Sequence, residues 1–285
     1  MTSTFPVEDQ ARAQWLMGQV GAGAAPEQVV ASLVGQGWAE AAAIEEIERV
    51  LRAHLEAHAR SEGLPPPVPV PAPVQWNGAS RVHAHDRDVD VLAHLVQPPV
   101  VVFGNLLDAA ECDALITAAR GRLRRSTTVD LATGADEVHE ARTSEGMCFA
   151  RGELPVCARI EARLAALTGW PVENGEGLQV LRYGPGAEYR PHYDYFPPEE
   201  PGTECILQRG GQRVASIVMY LNTPGRGGAT VFPDARMQVA AVRGNGVFFS
   251  YDRPHPMTQS LHGGAPVLDG EKWVATKWLR ERRHD

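Results

Sequence analysis

The chain has 285 residues, of which 44% are hydrophobic and 22% charged, and its formal net charge at pH 7 is −8. A chain of this length forms one or two domains with a sizeable core, and its acidic balance argues against a nucleic acid or an anionic membrane as the default partner. The four cysteines, at positions 112, 148, 157 and 205, are too scattered for a zinc site or a disulfide framework. We find no basic leader followed by an apolar segment and no run of about 18 apolar residues. We therefore expect a soluble protein of the cytoplasm.

The first 62 residues have the pattern of a small all-α module of three short helices. Pro26 lies where the first turn of a helix tolerates proline, and Gly35 and Gly37 are expected to end that helix. The third helix is predicted from apolar residues that recur at three- and four-residue spacing. They are Ile44, Ile47, Leu51 and Leu55. A module of this size either binds a partner or a second copy of the chain, or only pads the domain that follows.

A proline-rich stretch comes next. Residues 64–74, LPPPVPVPAPV, contain six prolines, so the backbone cannot sustain a helix or a central strand and is expected to run as a stiff polyproline segment. We interpret residues 63–97 as this linker and a polar connector, with a spacer favoured over a proline-rich ligand. Within it, HAHDRDVD from His83 to Asp90 alternates imidazoles and carboxylates but has no strong strand pattern that would fix metal ligands. Polar surface is the favoured interpretation of that stretch.

Residues 98–285 are predicted to form the compact domain. Val100 to Leu107 reads as an apolar strand, and Asp108 and Glu111 have the spacing of a capping box, which predicts a helix. A second helix is predicted over Leu154 to Leu167. The rest of the chain is a series of short β-rich runs between glycines and prolines, which is typical of a sandwich or barrel. The predicted fold class is α+β, with a mainly β domain flanked by helices.

The residues best placed for chemistry are His192 and Asp194. Residues two apart on an extended strand point the same way, so an imidazole and a carboxylate can converge on one ion. Two ligands do not make a site, and a His-x-Asp pair alone arises readily by chance. His262 lies 70 residues after His192, and Lys272 follows at the head of a predicted strand. Two histidines and one carboxylate on one face of an octahedral ion, with the other positions open, suit non-haem Fe(II) and oxygen chemistry.

Several blocks of sequence occur together in an order and spacing that match one known family. The blocks are ARTSEGMCF, LQVLRYGPGAEYRPHYDYF, RVASIVMYLNTPGRGGATVFP, GNGVFFSY and SLHGGAPVLDGEKWVATKWL. Over residues 98–281 the chain resembles the catalytic domain of the prolyl 4-hydroxylases, which are Fe(II)- and 2-oxoglutarate-dependent dioxygenases. The resemblance implies a double-stranded β-helix (jelly-roll) core. It also implies Fe(II), 2-oxoglutarate and dioxygen as cofactor and co-substrates, with ascorbate as a candidate reductant.

The resemblance further implies roles for single residues. The implied iron ligands are His192, Asp194 and His262. Lys272 would pair with the distal carboxylate of 2-oxoglutarate, and an ammonium inside an apolar barrel does require an anionic partner. Tyr183 and Thr230 match positions where the family places hydroxyls near that carboxylate, and such donors would strengthen its capture. Packing within a strand is the alternative role for both residues.

Three more positions match residues that face the prime substrate in this family. They are Tyr189, Arg213 and Trp278. An aromatic wall suits a pyrrolidine ring, and Arg213 could hydrogen-bond a peptide carbonyl or a carboxylate; core packing for Trp278 and a surface role for Arg213 are the alternatives. The segments from Ala141 to Phe149 and from Phe196 to Gly211 resemble family segments that close over the substrate, and both are rich in turn and polar residues.

The activity that the resemblance implies is hydroxylation of prolyl residues at carbon 4 in a peptide or protein, coupled to decarboxylation of 2-oxoglutarate to succinate. A free amino acid or another non-prolyl substrate is the alternative within the same mechanism, because Arg213 could hold a carboxylate. A non-catalytic scaffold that acts through the N-terminal helices is disfavoured, because a decayed site would have no reason to keep a buried cation. As partners we expect a proline-containing peptide or protein, no nucleic acid and no membrane. A protein partner or self-association through the N-terminal helices is a further candidate.

Overall fold

The computed structural model describes residues 7–73, 78–126, 128–129, 136–137 and 143–285. The chain divides into two compact units, Met1–Pro67 and Val68–Asp285. Ala141 and Arg142, which begin one of the segments predicted to close over the substrate, lie outside the described residues. No helix in the described part of the chain is long and apolar enough to cross a membrane.

The first unit contains three helices, as predicted. They are α1 (Val7–Gly21), α2 (Pro26–Gly35) and α3 (Glu40–Ser61). The buried residues of their common core are Leu16, Val29, Leu33, Ala43 and Val50. Ala43 and Val50, seven residues apart and so on one face of α3, take the place expected for the longer apolar residues. Ile44 is 42% and Leu55 65% exposed, so the apolar spacing predicted the helix correctly but not the face that it buries.

The second unit contains three helices and seventeen strands among the described residues. The helices are α4 (Ala109–Arg120), α5 (Pro155–Thr168) and α6 (Thr203–Leu207), with short 3-10 turns at Val172–Asn174 and Pro256–Thr258. The strands are β1 (Arg81–Ala84), β2 (Arg87–Leu95), β3 (Val100–Gly104), β4 (Arg124–Arg125), β5 (Thr128–Val129), β6 (Asp136–Glu137), β7 (Glu145–Phe149), β8 (Leu178–Tyr183), β9 (Tyr189–His192), β10 (Arg213–Tyr220), β11 (Arg226–Gly227), β12 (Thr230–Phe232), β13 (Met237–Val239), β14 (Gly246–Ser250), β15 (His262–Gly264), β16 (Val267–Asp269) and β17 (Lys272–Arg280).

Two antiparallel sheets organise these strands. The larger sheet has nine strands in the order β1-β2-β3-β14-β10-β17-β8-β7-β4, and the smaller has four in the order β13-β12-β15-β9. Two short pairs, β5 with β6 and β11 with β16, complete the topology of the described residues. This is the jelly-roll architecture, and it confirms the predicted class of a mainly β domain flanked by helices.

The larger sheet is covered on both faces. One face packs against α4 and α5 through a core that includes Leu115, Ile160 and Trp273. The other face shares a second core with the smaller sheet, which includes Phe232 and Phe249. Strand β14, which is buried at all five of its residues, accordingly reads as a nearly continuous apolar run.

A capping box begins α4, and buried ion pairs fix α4 and α5 to the rest of the unit. The Asp108 carboxylate accepts a hydrogen bond from the Glu111 N–H at 2.8 Å, and Glu111 accepts one from the Asp108 N–H at 3.0 Å, so the predicted capping box is present. Arg163 on α5 has a fully buried side chain and pairs with Glu111 at 2.7 Å and with Asp86 at 2.8 Å. These contacts tie both helices to the turn between β1 and β2.

The interpretation of residues 81–95 as a polar connector is wrong, because they form β1 and β2 at the edge of the larger sheet. Val82 and Ala84 point into the core from β1, while Arg81 and His83 face out. Two small apolar residues among charged neighbours are too weak an alternation to stand out in the sequence. The polar side chains do face solvent: His83 pairs with Asp88 at 2.8 Å, and their side chains are 68% and 60% exposed.

The second half of the proline-rich stretch lies along the second unit. The N–H of Val68 donates to the carbonyl of Asp252 at 2.7 Å, and the N–H of Ala72 donates to the carbonyl of Thr168 at 3.2 Å. Pro71 between them is buried. This half is therefore held against the rest of the second unit by backbone hydrogen bonds.

Candidate active site

Sheet pairing brings two distant histidines together. β9 and β15 are antiparallel neighbours in which His262 lies opposite His192, and their ring centroids are 4.4 Å apart. Asp194 follows β9, with its carboxylate oxygens 3.6 Å from His192 Nε2 and 3.5 Å from His262 Nε2. Within the described part of the chain, no other group of His, Cys, Asp or Glu side chains meets so closely; the donor atoms of these three lie within 4.8 Å of one another. The structure thus brings together the three residues predicted as metal ligands.

Both imidazoles are held in one orientation by backbone carbonyls. The Nδ1 atom of His192 lies 2.9 Å from the Arg190 carbonyl, and that of His262 lies 3.0 Å from the Ser260 carbonyl. A carbonyl can only accept a hydrogen bond, so each Nδ1 carries the proton and each Nε2 keeps its lone pair. Metal-binding histidines are oriented in the same way by an acceptor on the second nitrogen.

Burial and charge place Asp194 and His262 in the protonation states that a metal needs. Burial alone would raise the pKa of Asp194, but the neighbouring His262 and His192 hold that pKa well below its ordinary value. Burial lowers the pKa of His262 to about 4. At neutral pH the site therefore offers an ionised carboxylate together with a neutral His262 imidazole, and both are ligand forms.

Two hydroxyls that the sequence did not single out orient the carboxylate. Ser216 Oγ on β10 donates to Asp194 Oδ2 at 2.5 Å, and the hydroxyl of Tyr251 lies 3.0 Å from Ser216 Oγ. All three side chains are buried. The hydrogen bonds that run from Tyr251 through Ser216 to Asp194 occupy Oδ2 of the carboxylate. Its Oδ1 is therefore the oxygen more available to bind a metal. The signal in the sequence is the serine itself, since a polar residue in the apolar strand VASIVMYL must find a partner when it is buried.

Lys272 is a buried cation without a counter-ion in the described part of the chain. It is 3% exposed, and burial alone lowers its pKa to about 8. It begins β17 opposite Tyr183 on β8, and its Nζ lies 5.5 Å from the centre of the Tyr183 ring and 5.8 Å from that of Tyr220. Lys272, Tyr183 and Thr230 line the same cavity as the three metal-binding candidates. A buried ammonium without an anion is costly, so this wall of the cavity is suited to an anionic ligand.

Tyr220 prepares Thr230 to act as a donor. The buried Tyr220 hydroxyl donates to Thr230 Oγ1 at 2.8 Å. Because Thr230 accepts this bond, its own hydroxyl hydrogen remains available for an acceptor in the cavity. Sequence reasoning missed Tyr220, which is one of several aromatic residues at strand ends.

Two of the three residues predicted to face the substrate line the cavity. Tyr189 stacks on the imidazole of His192, with ring centroids 3.7 Å apart and planes 20° apart. Trp278 lies on the cavity side of β17, on the same face of the strand as Lys272. Both residues are half-buried, so the structure places an aromatic side chain at each of these positions beside the metal-binding candidates.

Arg213 is neither a free cation nor a surface residue. Its guanidinium makes two hydrogen bonds to the Glu176 carboxylate, at 2.7 and 2.9 Å, and its side chain is 14% exposed. The Cζ atom lies 4.0 Å from the centre of the Trp278 ring, and Nη1 lies 3.5 Å from the backbone carbonyl of Asp194. Arg280 contacts the same glutamate at 2.9 Å. The alternative of a surface role for Arg213 is therefore wrong, and Glu176 is a partner that the sequence did not reveal.

The segment from Phe196 to Gly211 contains α6, and its first residue is held in place by hydrogen bonds. The side chain of Gln212 accepts a hydrogen bond from the Phe196 N–H and donates one to the Phe196 carbonyl, both at 2.8 Å. Phe196 is 4% exposed. The start of the segment is anchored, and closure of the rest over a substrate stays a prediction.

Comparison with known proteins identifies the family of a chain with this site. A family model described as the 2OG-Fe(II) oxygenase superfamily matches residues 178–280. Prolyl 4-hydroxylase 5 of Arabidopsis thaliana is 40% identical over 215 residues, which are 68% of this chain and 72% of the relative. Prolyl 4-hydroxylase 1 of the same plant is 40% identical over 203 residues, which are 65% of this chain and 70% of the relative.

A solved structure supports the same relationship. The viral collagen prolyl hydroxylase of Paramecium bursaria Chlorella virus 1, in its 2-oxoglutarate complex, is 29% identical and aligns over 64% of this chain and 95% of its own, with a TM-score of 0.50. The three metal-binding candidates and Lys272 all lie within the residues matched by the family model. With two fifths of its aligned residues identical over most of a curated relative, the chain belongs to the prolyl 4-hydroxylase family.

Proposed function

We propose that this protein is an Fe(II)- and 2-oxoglutarate-dependent dioxygenase that hydroxylates prolyl residues, at carbon 4, in a peptide or protein. The observation that carries the proposal is one cavity lined both by the cluster of His192, Asp194 and His262 and by the buried Lys272, which has no counter-ion in the described part of the chain. A metal centre beside the unpaired Lys272 ammonium suits a co-substrate that chelates the metal at one end and carries a free carboxylate at the other. The names of its relatives support a prolyl substrate.

The donor set fits ferrous iron. Two imidazole Nε2 atoms and one carboxylate oxygen converge from one side, which is the facial arrangement of non-haem Fe(II) oxygenases. We assign His192, Asp194 and His262 as the ligands. When bound there, iron supplies the oxidative chemistry that converts 2-oxoglutarate and dioxygen to succinate and carbon dioxide and adds one oxygen atom to a C–H bond. Ser216 holds the Asp194 carboxylate in place for this role.

Lys272 and its neighbours bind the far end of 2-oxoglutarate. The ammonium pairs with the distal carboxylate, and Thr230 donates its remaining hydroxyl hydrogen to the same group. Tyr183, opposite Lys272 on the neighbouring strand, supplies a further hydroxyl. Because the site is buried, these contacts are stronger than they would be in water.

The aromatic side chains beside the metal centre suit a pyrrolidine ring. Tyr189 and Trp278 flank the cavity, and two flat apolar surfaces hold a proline ring without asking it for hydrogen bonds. Arg213 is engaged by Glu176 through two hydrogen bonds, which makes it a poor anchor for the carboxylate of a free amino acid. This pairing favours a peptide or protein over free proline.

The test offers the iron-loaded full chain 2-oxoglutarate with proline-containing peptides, with the same peptides carrying alanine for proline, and with free proline. We expect a mass increase of one oxygen atom only in the proline-containing peptides, with one succinate formed for each product. Tandem mass spectra and amino-acid analysis would locate the oxygen at carbon 4. Coupled turnover on free proline or on the alanine peptides, without turnover on prolyl peptides, would overturn the proposed substrate.

Two further proposals concern the surroundings of the protein. We propose that ascorbate serves as a reductant that restores Fe(II), which predicts that the amount of product per enzyme falls when ascorbate is left out while the initial rate does not. We also propose a cytoplasmic location. All four cysteines are free thiols in the structure, which suits a reducing compartment. Cell fractionation with antibodies to the protein tests this location.

We propose that the helical module of residues 1–62 binds another protein and is separate in function from the catalytic domain, which includes β1 and β2 as well as residues 98–285. The module has its own core, which supports an independent role. Deletion of residues 1–62 should leave uncoupled 2-oxoglutarate turnover intact. Loss of that turnover would instead make the helices part of the catalytic fold.

A further inference from the structure

The first unit has an apolar groove between α2 and α3. It has a volume of about 650 Å³. Its apolar lining residues are Pro26, Val30, Ala31, Val34, Ile44, Ile47 and Leu51. Val34 and Ile44 are each 42% exposed, so both apolar side chains face solvent along this groove. Three of the four residues of α3 whose spacing predicted this helix, Ile44, Ile47 and Leu51, thus form one wall of an open groove.

An amphipathic helix normally buries its apolar face against another element. Here α3 has a second apolar face besides the one formed by Ala43 and Val50, and within the described first unit no helix covers it. The apolar residues of α2 and α3 line the two sides of the groove. A groove of this form accepts a further amphipathic helix from outside the unit.

The rim of the groove is acidic. Glu27, Glu40 and Glu48 line it together with the apolar residues, and no Lys or Arg does so. All three glutamates are exposed, and none forms an ion pair with another described residue. The contrast is Glu46 on the same helix, which lies outside the groove and pairs with Arg49 at 2.7 Å and with Arg12 at 3.4 Å.

We propose that this groove binds a basic amphipathic helix of a partner protein. The apolar residues of the partner helix, such as leucines, would fill the groove. Its lysine or arginine residues would pair with the three unpaired carboxylates of the rim. The same carboxylates oppose a second copy as the occupant, because a symmetric dimer places a patch against itself and would bring like charges together. This groove is the surface through which the N-terminal helices would bind the partner proposed above. Its role does not depend on the hydroxylation reaction.

The test measures binding of a labelled basic amphipathic peptide to the full chain by fluorescence anisotropy. The probe is a helix of about 18 leucine and lysine residues with leucines at helical spacing, and its control has the same composition in an order that forms no apolar face. We expect saturable binding of the probe and not of the control. Ile44→Ser should weaken binding at least about tenfold, because a half-exposed side chain that becomes buried on binding is lost. Val34→Ser should act alike, and far-ultraviolet circular dichroism checks that each variant keeps its helices.

A matched pair of triple variants separates the rim from the general charge of the chain. Glu27→Gln, Glu40→Gln and Glu48→Gln together should weaken the probe at least about threefold at low ionic strength. Glu45→Gln, Glu56→Gln and Glu62→Gln remove the same net charge from residues outside the groove and should leave binding unchanged.

Three results would overturn the proposal. Equal losses in both triple variants, or equal binding of the control peptide, would show a general attraction to an acidic chain. Self-association by sedimentation that Ile44→Ser abolishes would make a second copy the occupant. Succinate formation by the groove variants is expected to equal that of the wild type, so failure of docking is distinguishable from failure of the proposed catalysis.

Discussion

Lys272 and Lys277 are buried on opposite faces of the same strand, and their surroundings differ in one respect. Both are almost fully buried, at 3% and 2% exposure. Lys277 faces α5, where its Nζ lies 2.6 Å from the Glu161 carboxylate. Lys272 faces the cavity, where no described residue supplies a carboxylate. Burial lowers the pKa of both lysines, but for Lys277 the charge and hydrogen bond of Glu161 oppose that effect.

The presence or absence of a counter-ion within the chain distinguishes a stabilising charge on one face of the sheet from a functional charge on the other. On the helix side, buried charges have partners within the chain, and Arg163 with Glu111 and Asp86 is a further case. On the cavity side the counter-ion is left to a ligand. A chain that keeps an unpaired buried cation lowers its own stability, which is reasonable only where binding of an anion uses that charge.

Removal of the metal-binding carboxylate should have the largest effect on activity. Asp194→Ala takes away one of three converging donors and is expected to reduce succinate formation to the background rate, because the remaining pair of histidines no longer defines a facial site. The measurement is succinate formation with added Fe(II), together with Fe(II) binding. Asp88→Ala is the control, since Asp88 belongs to a similar His-rich stretch but lies at the surface, 60% exposed. Full turnover by Asp194→Ala would contradict the metal assignment.

The two lysines can be compared directly with one substitution. Lys272→Met should raise the concentration of 2-oxoglutarate needed for half-maximal turnover at least about a hundredfold, because the buried charge-assisted contact is lost. Its free energy of unfolding should stay equal or rise. Lys277→Met leaves Glu161 as an uncompensated buried charge and should lower the free energy of unfolding by about 3–5 kcal/mol.

Steady-state kinetics and urea denaturation of both variants decide the comparison. Lys277→Met should retain the wild-type requirement for 2-oxoglutarate at a temperature where it is folded. The double variant Lys277→Met with Glu161→Gln should recover much of the lost stability, because no unpaired charge remains. If Lys272→Met proved the more destabilising of the two, the cavity lysine would have a structural role.

Sequence reasoning worked where local residues carry the information and failed where distant strands supply it. His192 and Asp194 are two residues apart, and the blocks around His262 and Lys272 are contiguous, so family resemblance finds them. Ser216 and Tyr251 are 35 residues apart and meet only because β10 pairs with β14. No local pattern marks that encounter, apart from a serine in an otherwise apolar strand.

The fold shows the same limit. The helices of the first unit were predicted from apolar spacing, but the spacing does not say which of two apolar faces of α3 is buried. Ala43 and Val50 take the core, and Ile44 lines the open groove. The strands β1 and β2 escaped prediction because the apolar residues that they bury, Val82, Ala84 and Val89, are few and lie between charged or histidine neighbours.

Ser216 offers a smaller effect on the cavity side. Ser216→Ala removes the hydrogen bond to Asp194 Oδ2, so the carboxylate is free to rotate and Fe(II) affinity should fall about 10–100-fold. Tyr251→Phe removes only the outer hydroxyl and should cost less, while Ser216→Thr keeps a hydroxyl and should restore part of the affinity. Competition with a chelator measures Fe(II) affinity apart from turnover. Equal affinity in Ser216→Ala and wild type would leave Asp194 oriented by its backbone alone.

The affinity for 2-oxoglutarate should also depend on pH through Lys272. Its pKa is about 8 in the folded chain against an ordinary value of 10.5. Below pH 8 the ammonium is already formed, whereas above pH 8 binding of the 2-oxoglutarate carboxylate must first take up a proton, so affinity should fall by about tenfold for each pH unit above 8. Between these two pKa values the unfolded chain binds more protons than the folded chain at this lysine. The wild type should therefore gain about 3 kcal/mol of unfolding free energy relative to Lys272→Met as pH rises through that range. Calorimetric titration of 2-oxoglutarate and urea denaturation across this range measure both quantities. A flat affinity across pH 8 would mean that the anion is bound by hydroxyls and not by the ammonium, and the contrast between the two lysines would lose its functional meaning.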